Sequence, residues 1–90
     1  MNLNDSDIEP LRYMSNLEEL DLNVNWIKDI SPLSSLTNLE RISLGWNKIS
    51  DISALSGLKN LTYLQLIGNP LTVEQVNTLR RALPNCTIIF

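Results

Sequence analysis

The stretch LEELDLNVNWIKDISPLSSLTN, residues 17–38, overlays the stretch that follows it, LERISLGWNKISDISALSGLKN (39–60), with 12 of 22 positions identical and no gap. A period that recurs without drift marks a stacked-repeat architecture, in which each unit covers an apolar face that its neighbour cannot bury alone. Extending the register gives columns of uniform chemistry: Leu17, Leu39, Leu61; Leu20, Ile42, Leu64; Leu22, Leu44, Leu66; Asn25, Asn47, Asn69; Ile27, Ile49, Leu71. Ile30 and Ile52, Leu33 and Leu55, and Leu36 and Leu58 continue the pattern, and Ile8, Leu11 and Met14 fit those three columns upstream. The expected organisation is one domain: a half repeat over 1–16, repeats over 17–38 and 39–60, a partial repeat over 61–71 and a terminal cap over 72–90.

Within each unit, alternation sends neighbouring strand side chains to opposite faces, so Leu20 and Leu22 point inward and Asp21 outward. Stacking then predicts a parallel sheet. Ser31 before Pro32, and Ser53 before Ala54, read as N-caps of short 3₁₀ or one-turn helices on the other side of the core. The core pattern L-x-x-L-x-L-x-x-N-x-I, with segments such as DISPLSSLTNL (29–39), spans roughly residues 7–71 and resembles the leucine-rich repeat family. The resemblance is to its short-repeat, internalin-like class of bacterial type. It implies an α/β repeat fold, a right-handed solenoid with a short parallel β-sheet on the concave face and 3₁₀ or short helical turns on the convex face.

Composition agrees with the repeat and excludes several functions. Leu, Asn, Ile and Ser supply 46 of 90 residues, and aromatics only 6%. The absence of histidine removes the usual general base and the commonest zinc ligand. One cysteine, Cys86, rules out an internal disulfide and a paired-cysteine metal site, and reads as a small buried filler. A net charge of −3 and a pI near 4.7 make nucleic acid a poor partner. No segment approaches the ~20 apolar residues of a membrane span. Glycine-rich phosphate loops are missing too, and no cofactor or metal is expected. The chain carries no export signal, so a cytoplasmic protein and a fragment of a bacterial secreted or surface protein both fit.

The two ends differ. Thr72 and Gln75 form a capping-box pair, with Leu71 placed to staple against Val76. The spacing predicts a helix over 73–83 with an apolar face of Val73, Val76, Leu79 and Leu83, ended by Pro84, and then a last strand within 86–90. Similar helix-plus-strand endings with an LPNC turn close bacterial members of the resembling family, which implies a C-terminal cap and a natural terminus at Phe90. The N-terminal end shows no such device, which leaves an open sheet edge and points to self-association there or to a longer parent protein. Residues 1–40 carry 2 basic and 8 acidic groups (−6), residues 41–90 carry 5 and 2 (+3), so the solenoid has an acidic and a basic end.

Residues that the repeat does not require are the functional candidates. The Asn column reads as a structural ladder, and Asp7, Asp29 and Asp51 as turn caps, since they lie a full period apart and lack the local spacing of a calcium loop. The outward strand positions are Glu19, Asp21, Asn23; Arg41, Ser43, Gly45; and Tyr63, Gln65, Ile67. The period places Glu19 beside Arg41 as an ion pair and Arg41 beside Tyr63 as a cation–π pair. Trp46 and Trp26 occupy variable slots, Trp26 being expected to stack on the stem of Lys48. The partner-binding candidates are therefore Glu19, Asp21, Arg41, Ser43, Trp46, Tyr63, Gln65 and Ile67. By resemblance, the concave face binds a protein and the chain is not an enzyme. Two alternatives are a structural capping segment of a longer repeat protein and a glycan-binding surface. Adjacent Glu18 and Glu19 point to opposite strand faces and cannot serve as an acid/base pair.

Overall fold

The structure, a computed structural model, describes residues 2–90. A one-turn helix α1 (Asp5–Ile8) and a 3₁₀ turn (Glu9–Tyr13) precede β1 (Glu19–Asp21). A 3₁₀ turn (Ser31–Ser35), β2 (Arg41–Ser43), a further 3₁₀ turn (Ser53–Leu55) and β3 (Tyr63–Gln65) follow. The chain closes with helix α2 (Val73–Ala82) and β4 (Thr87–Ile89). The four strands pair in parallel in the order β1-β2-β3-β4. Glu19 lies opposite Arg41 and Arg41 opposite Tyr63, the register that the repeat period predicts. Tyr63 lies opposite Thr87, a longer step, because the last coil carries the helix α2 in place of a 3₁₀ turn.

The core is a single layer between sheet and turns. Ile42 and Leu64 enter it from the strands and Leu44 and Leu66 from just past their ends, and Ile30, Leu33, Leu36, Ile52, Leu55 and Leu58 meet them from the opposite side. Val76, Leu79 and Leu83 cover its C-terminal end. Val73, placed on that face by spacing, is exposed. It is the first residue of the helix, where the chain is still turning in, and the apolar contact passes to Leu71 and Ala82. The Thr72–Gln75 capping box forms, and Gln75 Nε2 also donates to the Ser50 carbonyl at 2.7 Å, tying helix to solenoid.

Asparagine knits the coils together on the strand-to-turn corner. Asn47 Nδ2 donates to the carbonyls of Leu22 (2.9 Å) and Leu44 (3.0 Å), while its Oδ1 accepts the Ile27 N–H. Asn69 repeats this against Leu44, Leu66 and Ile49. An amide with two donors and an acceptor fills this role as a carboxylate cannot. On the turn side, the caps are not Ser31 and Ser53. Asp29 Oδ1 accepts the Ser31 N–H and Asp51 Oδ1 the Ser53 N–H, each at 2.9 Å, as the aspartate column predicts, while the serines are the first residues of the 3₁₀ turns and Ile30 and Ile52 hold the cap positions.

The N-terminus also has a finishing device, contrary to expectation. Asn4 and Asp7 form a reciprocal capping box on α1. Leu3 N–H donates to Asn25 Oδ1, and Asp5 Oδ1 accepts the N–H groups of Lys28 and Asp29. This segment covers the asparagine corner and the turns of the first coil. It supplies no strand, so β1 remains at the edge.

Candidate functional site

The outward face of the sheet carries two rows. Glu19, Arg41, Tyr63 and Thr87 form one, and Asp21, Ser43, Gln65 and Ile89 the other. In the first row the Arg41 guanidinium lies over the Tyr63 ring, 4.7 Å from its centroid. The expected Glu19–Arg41 ion pair is not formed: among the described residues the one ion pair is Arg12–Glu9. Arg41 leans along the sheet toward the aromatic face, away from the acidic edge. An Arg stacked this way keeps its donors available to a ligand. Glu19, Asp21, Arg41, Ser43 and Tyr63 together line a shallow depression of about 380 Å³.

In the second row, Asp21 and Gln65 are partly occupied by the fold. Asp21 Oδ1 accepts the Asn23 N–H at 3.0 Å, and Gln65 Oε1 accepts the Ile67 N–H at 2.8 Å. The Gln65 amide also lies across Gly45, where a Cβ would collide with it. Gly45 N–H donates in turn to Asn23 Oδ1. Sequence patterns did not assign these carboxamide and carboxylate groups to turns, because each bond depends on how a side chain folds back on its own backbone or its neighbour's.

Where the strands end, Val24, Trp46 and Gly68 occupy one column, all with positive φ: 59°, 58° and 81°. The left-handed turn lets each following Asn amide reach back to the carbonyl three residues earlier. Glycine takes this conformation without steric cost, whereas a β-branched or bulky residue does not. Yet Val24 and Trp46 leave their side chains 56% and 60% exposed. The Trp46 indole lies against Gly68 so closely that a Cβ there would overlap the ring. Ile67, whose carbonyl accepts the Trp46 N–H, adds a further exposed apolar side chain at this turn. Trp26, two columns on, is 63% exposed, and no cation–π contact with Lys48 forms among the described residues.

Elsewhere the chemistry is sparse. Cys86 is half-buried, and burial pushes its thiol up, away from the reactive thiolate. Among the described residues no group of three or more His, Cys, Asp or Glu could hold a metal ion, and no helix is long and apolar enough to cross a membrane. A depression of about 410 Å³ lies away from the sheet face, between the 3₁₀ turn at Ser53 and α2, lined by residues including Asp51, Ser56, Gln75 and Thr78.

A family profile described as two-copy leucine-rich repeats matches residues 15–56 and again 37–81. The chain belongs to the leucine-rich repeat family. Among solved structures it resembles a leucine-rich repeat protein of Leptospira interrogans, at 31% identity and a TM-score of 0.81, over 91% of this chain and 21% of that one. Internalin C2 of Listeria monocytogenes matches at 34% identity and a TM-score of 0.80, over 97% of this chain and 39% of that one. An internalin F of the same species matches at 33% identity and a TM-score of 0.59, over 93% and 31%. No curated protein matches the chain. The leucine-rich repeat solenoid described above thus spans well under half the length of these solved relatives, and the bacterial, internalin-like character of the repeat fits them.

Proposed function

We propose that the chain is a non-catalytic leucine-rich repeat module that binds a protein partner on the outer, concave face of its sheet. Arg41, Tyr63, Trp46 and Ile67 form the centre of the site, with Glu19, Asp21, Ser43 and Gln65 at its margin. The observation that carries this reading is the strained backbone at Trp46, echoed at Val24. A left-handed conformation costs an L-residue roughly 1–2 kcal/mol, while more than half of each of these side chains stays in water. Strain kept where a glycine would serve, as Gly68 does in the same column, supports a role outside folding. Trp, Tyr and Arg are also the residues that most often anchor interfaces, and a rigid sheet presents them with little ordering cost.

The test is a Trp46→Ala/Tyr63→Ala variant whose folding is verified by circular dichroism. A partner held by the wild type should bind at least ~10-fold more weakly, a loss of about 1.4 kcal/mol. Unchanged affinity would remove the site assignment. A glycan array tests the alternative ligand class: sugar binding that vanishes in Trp46→Ala would replace protein by glycan. A second reading, that the chain serves as the capping segment of a longer repeat protein, draws support from a cap that adds a strand, β4, at one end only. The length of the parent gene distinguishes it.

A further inference from the structure

The two edges of the sheet are finished differently. At the C-terminal edge, Thr87 N–H donates to the Thr62 carbonyl and Leu66 N–H to that of Ile89. Alternation therefore turns the peptide groups of Ile88 outward, and Arg80 Nη2 donates to the Ile88 carbonyl at 3.2 Å. At the N-terminal edge, Leu22 N–H donates to the Ser43 carbonyl and Arg41 N–H to that of Glu18. The same alternation turns the N–H and C=O groups of Glu19 and Asp21 away from β2. Among the described residues no side chain covers them as Arg80 covers Ile88.

Two more features at this end lack their counterpart. Asn38 and Asn60 each donate an amide N–H, at 2.9 Å, to a carbonyl of the coil before, at Ser15 and Thr37. Asn16, one period earlier in the same column, has no such acceptor among the described residues. Leu11, Leu17 and Leu20 are only partly buried, where their partners in the next coils are fully so, and Met14 is 48% exposed where Leu36 and Leu58 are at 0%.

We propose that β1 is a strand-addition site that takes an extended segment of another polypeptide in which leucines alternate with lysines or arginines. Backbone hydrogen bonds to Glu19 and Asp21 would supply affinity, as in other edge-strand recognition. Leucines on the inward side extend the layer of Leu17 and Leu20. Basic side chains on the outward side meet Glu19 and Asp21, at the end of the molecule where residues 1–40 sum to −6. The added strand runs parallel to β1, the direction that brings its approach past the Asn16 amide. A second copy of this chain does not fit. Two β1 edges related by a two-fold axis would set Glu19 of one against Asp21 of the other, like charges directly opposed. Head-to-tail contact would meet an edge whose carbonyl Arg80 already holds.

The experiment titrates ¹⁵N-labelled protein with the peptide Leu-Lys-Lys-Leu-Lys-Leu-Asn and follows amide shifts and hydrogen exchange. Shifts and slowed exchange at Glu19 and Asp21, with Ile88 unaffected, are expected. A peptide with Glu in place of each Lys should bind roughly 5–10-fold more weakly, the worth of two exposed ion pairs. A Glu19→Lys/Asp21→Asn variant, which keeps the turn acceptor at position 21, should abolish that preference. The Trp46→Ala/Tyr63→Ala variant should bind the lysine peptide as the wild type does, which separates this site from the concave-face reading. Shifts confined to Tyr63 and Trp46, affinity indifferent to peptide charge, or protection of Glu19 and Asp21 that grows with protein concentration alone would each overturn the proposal.

Discussion

Single residues in this chain sort by whether the coil repeat can use them. Asn47 is buried with its amide fully bonded, and the repeat dictates it. Val24 is the opposite case, a β-branched residue at φ 59° with an exposed side chain. Val24→Gly should stabilise the protein by about 1 kcal/mol, the left-handed strain outweighing the added freedom of the unfolded glycine. Thermal melting measures it, and a variant less stable than the wild type would show that the side chain packs usefully. The same logic predicts that Gly68→Ala destabilises, since the new methyl would displace the indole of Trp46 and take up a positive φ as well.

At the scale of elements, the turns are held by carboxylates. The Ser31 N–H, reinforced by the serine hydroxyl, holds the Asp29 carboxyl below its ordinary value of 3.8, and Ser53 does the same for Asp51. In the 3₁₀ turn that extends α1, Arg12 lowers Glu9. A depressed folded pKa means the unfolded chain binds more protons, so these contributions are complete above the unfolded values and lost as pH falls through the folded ones. Melting temperature should fall between about pH 5 and pH 2, and an Asp29→Ala/Asp51→Ala variant should show a shallower acid decline from a lower starting point. Equal acid slopes in the two proteins would refute the assignment. The period made these elements legible, because strand, corner and turn recur once in every repeat. The aspartate column marked the turn caps, whereas the serines two positions on read as caps too and are instead the first residues of the 3₁₀ turns, a choice that only the backbone path makes. The Glu19–Arg41 pair failed for a related reason: register fixed that they are neighbours, while the competing Tyr63 ring on the other side of Arg41 decided where the guanidinium lies.

For the whole molecule, stability rests on closing both ends of a one-layer core with an extent of 30 × 27 × 16 Å. The C-terminal closure was readable from the capping box and Pro84. The N-terminal one was not, because Leu3, Asn4 and Asp5 break the column pattern, and Leu3 and Asp5 act through long-range bonds to Asn25, Lys28 and Asp29. At the C-terminal edge, Arg80 Nη2 donates to the outward Ile88 carbonyl at 3.2 Å. Arg80→Ala should free the Ile88 carbonyl and produce concentration-dependent association in sedimentation experiments, with secondary structure retained. A variant that stays monomeric at all accessible concentrations would assign edge protection to the bulk of α2 instead.

The placement of both tryptophans on the surface predicts how the protein should fluoresce. An indole already bathed in water emits much as it does in an unfolded chain, so global unfolding should move the fluorescence maximum little. A partner that covers Trp46 would shift it to shorter wavelength. Under the proposed function, emission would follow occupancy of the sheet face while changing little on unfolding, which makes it a label-free readout for the binding test.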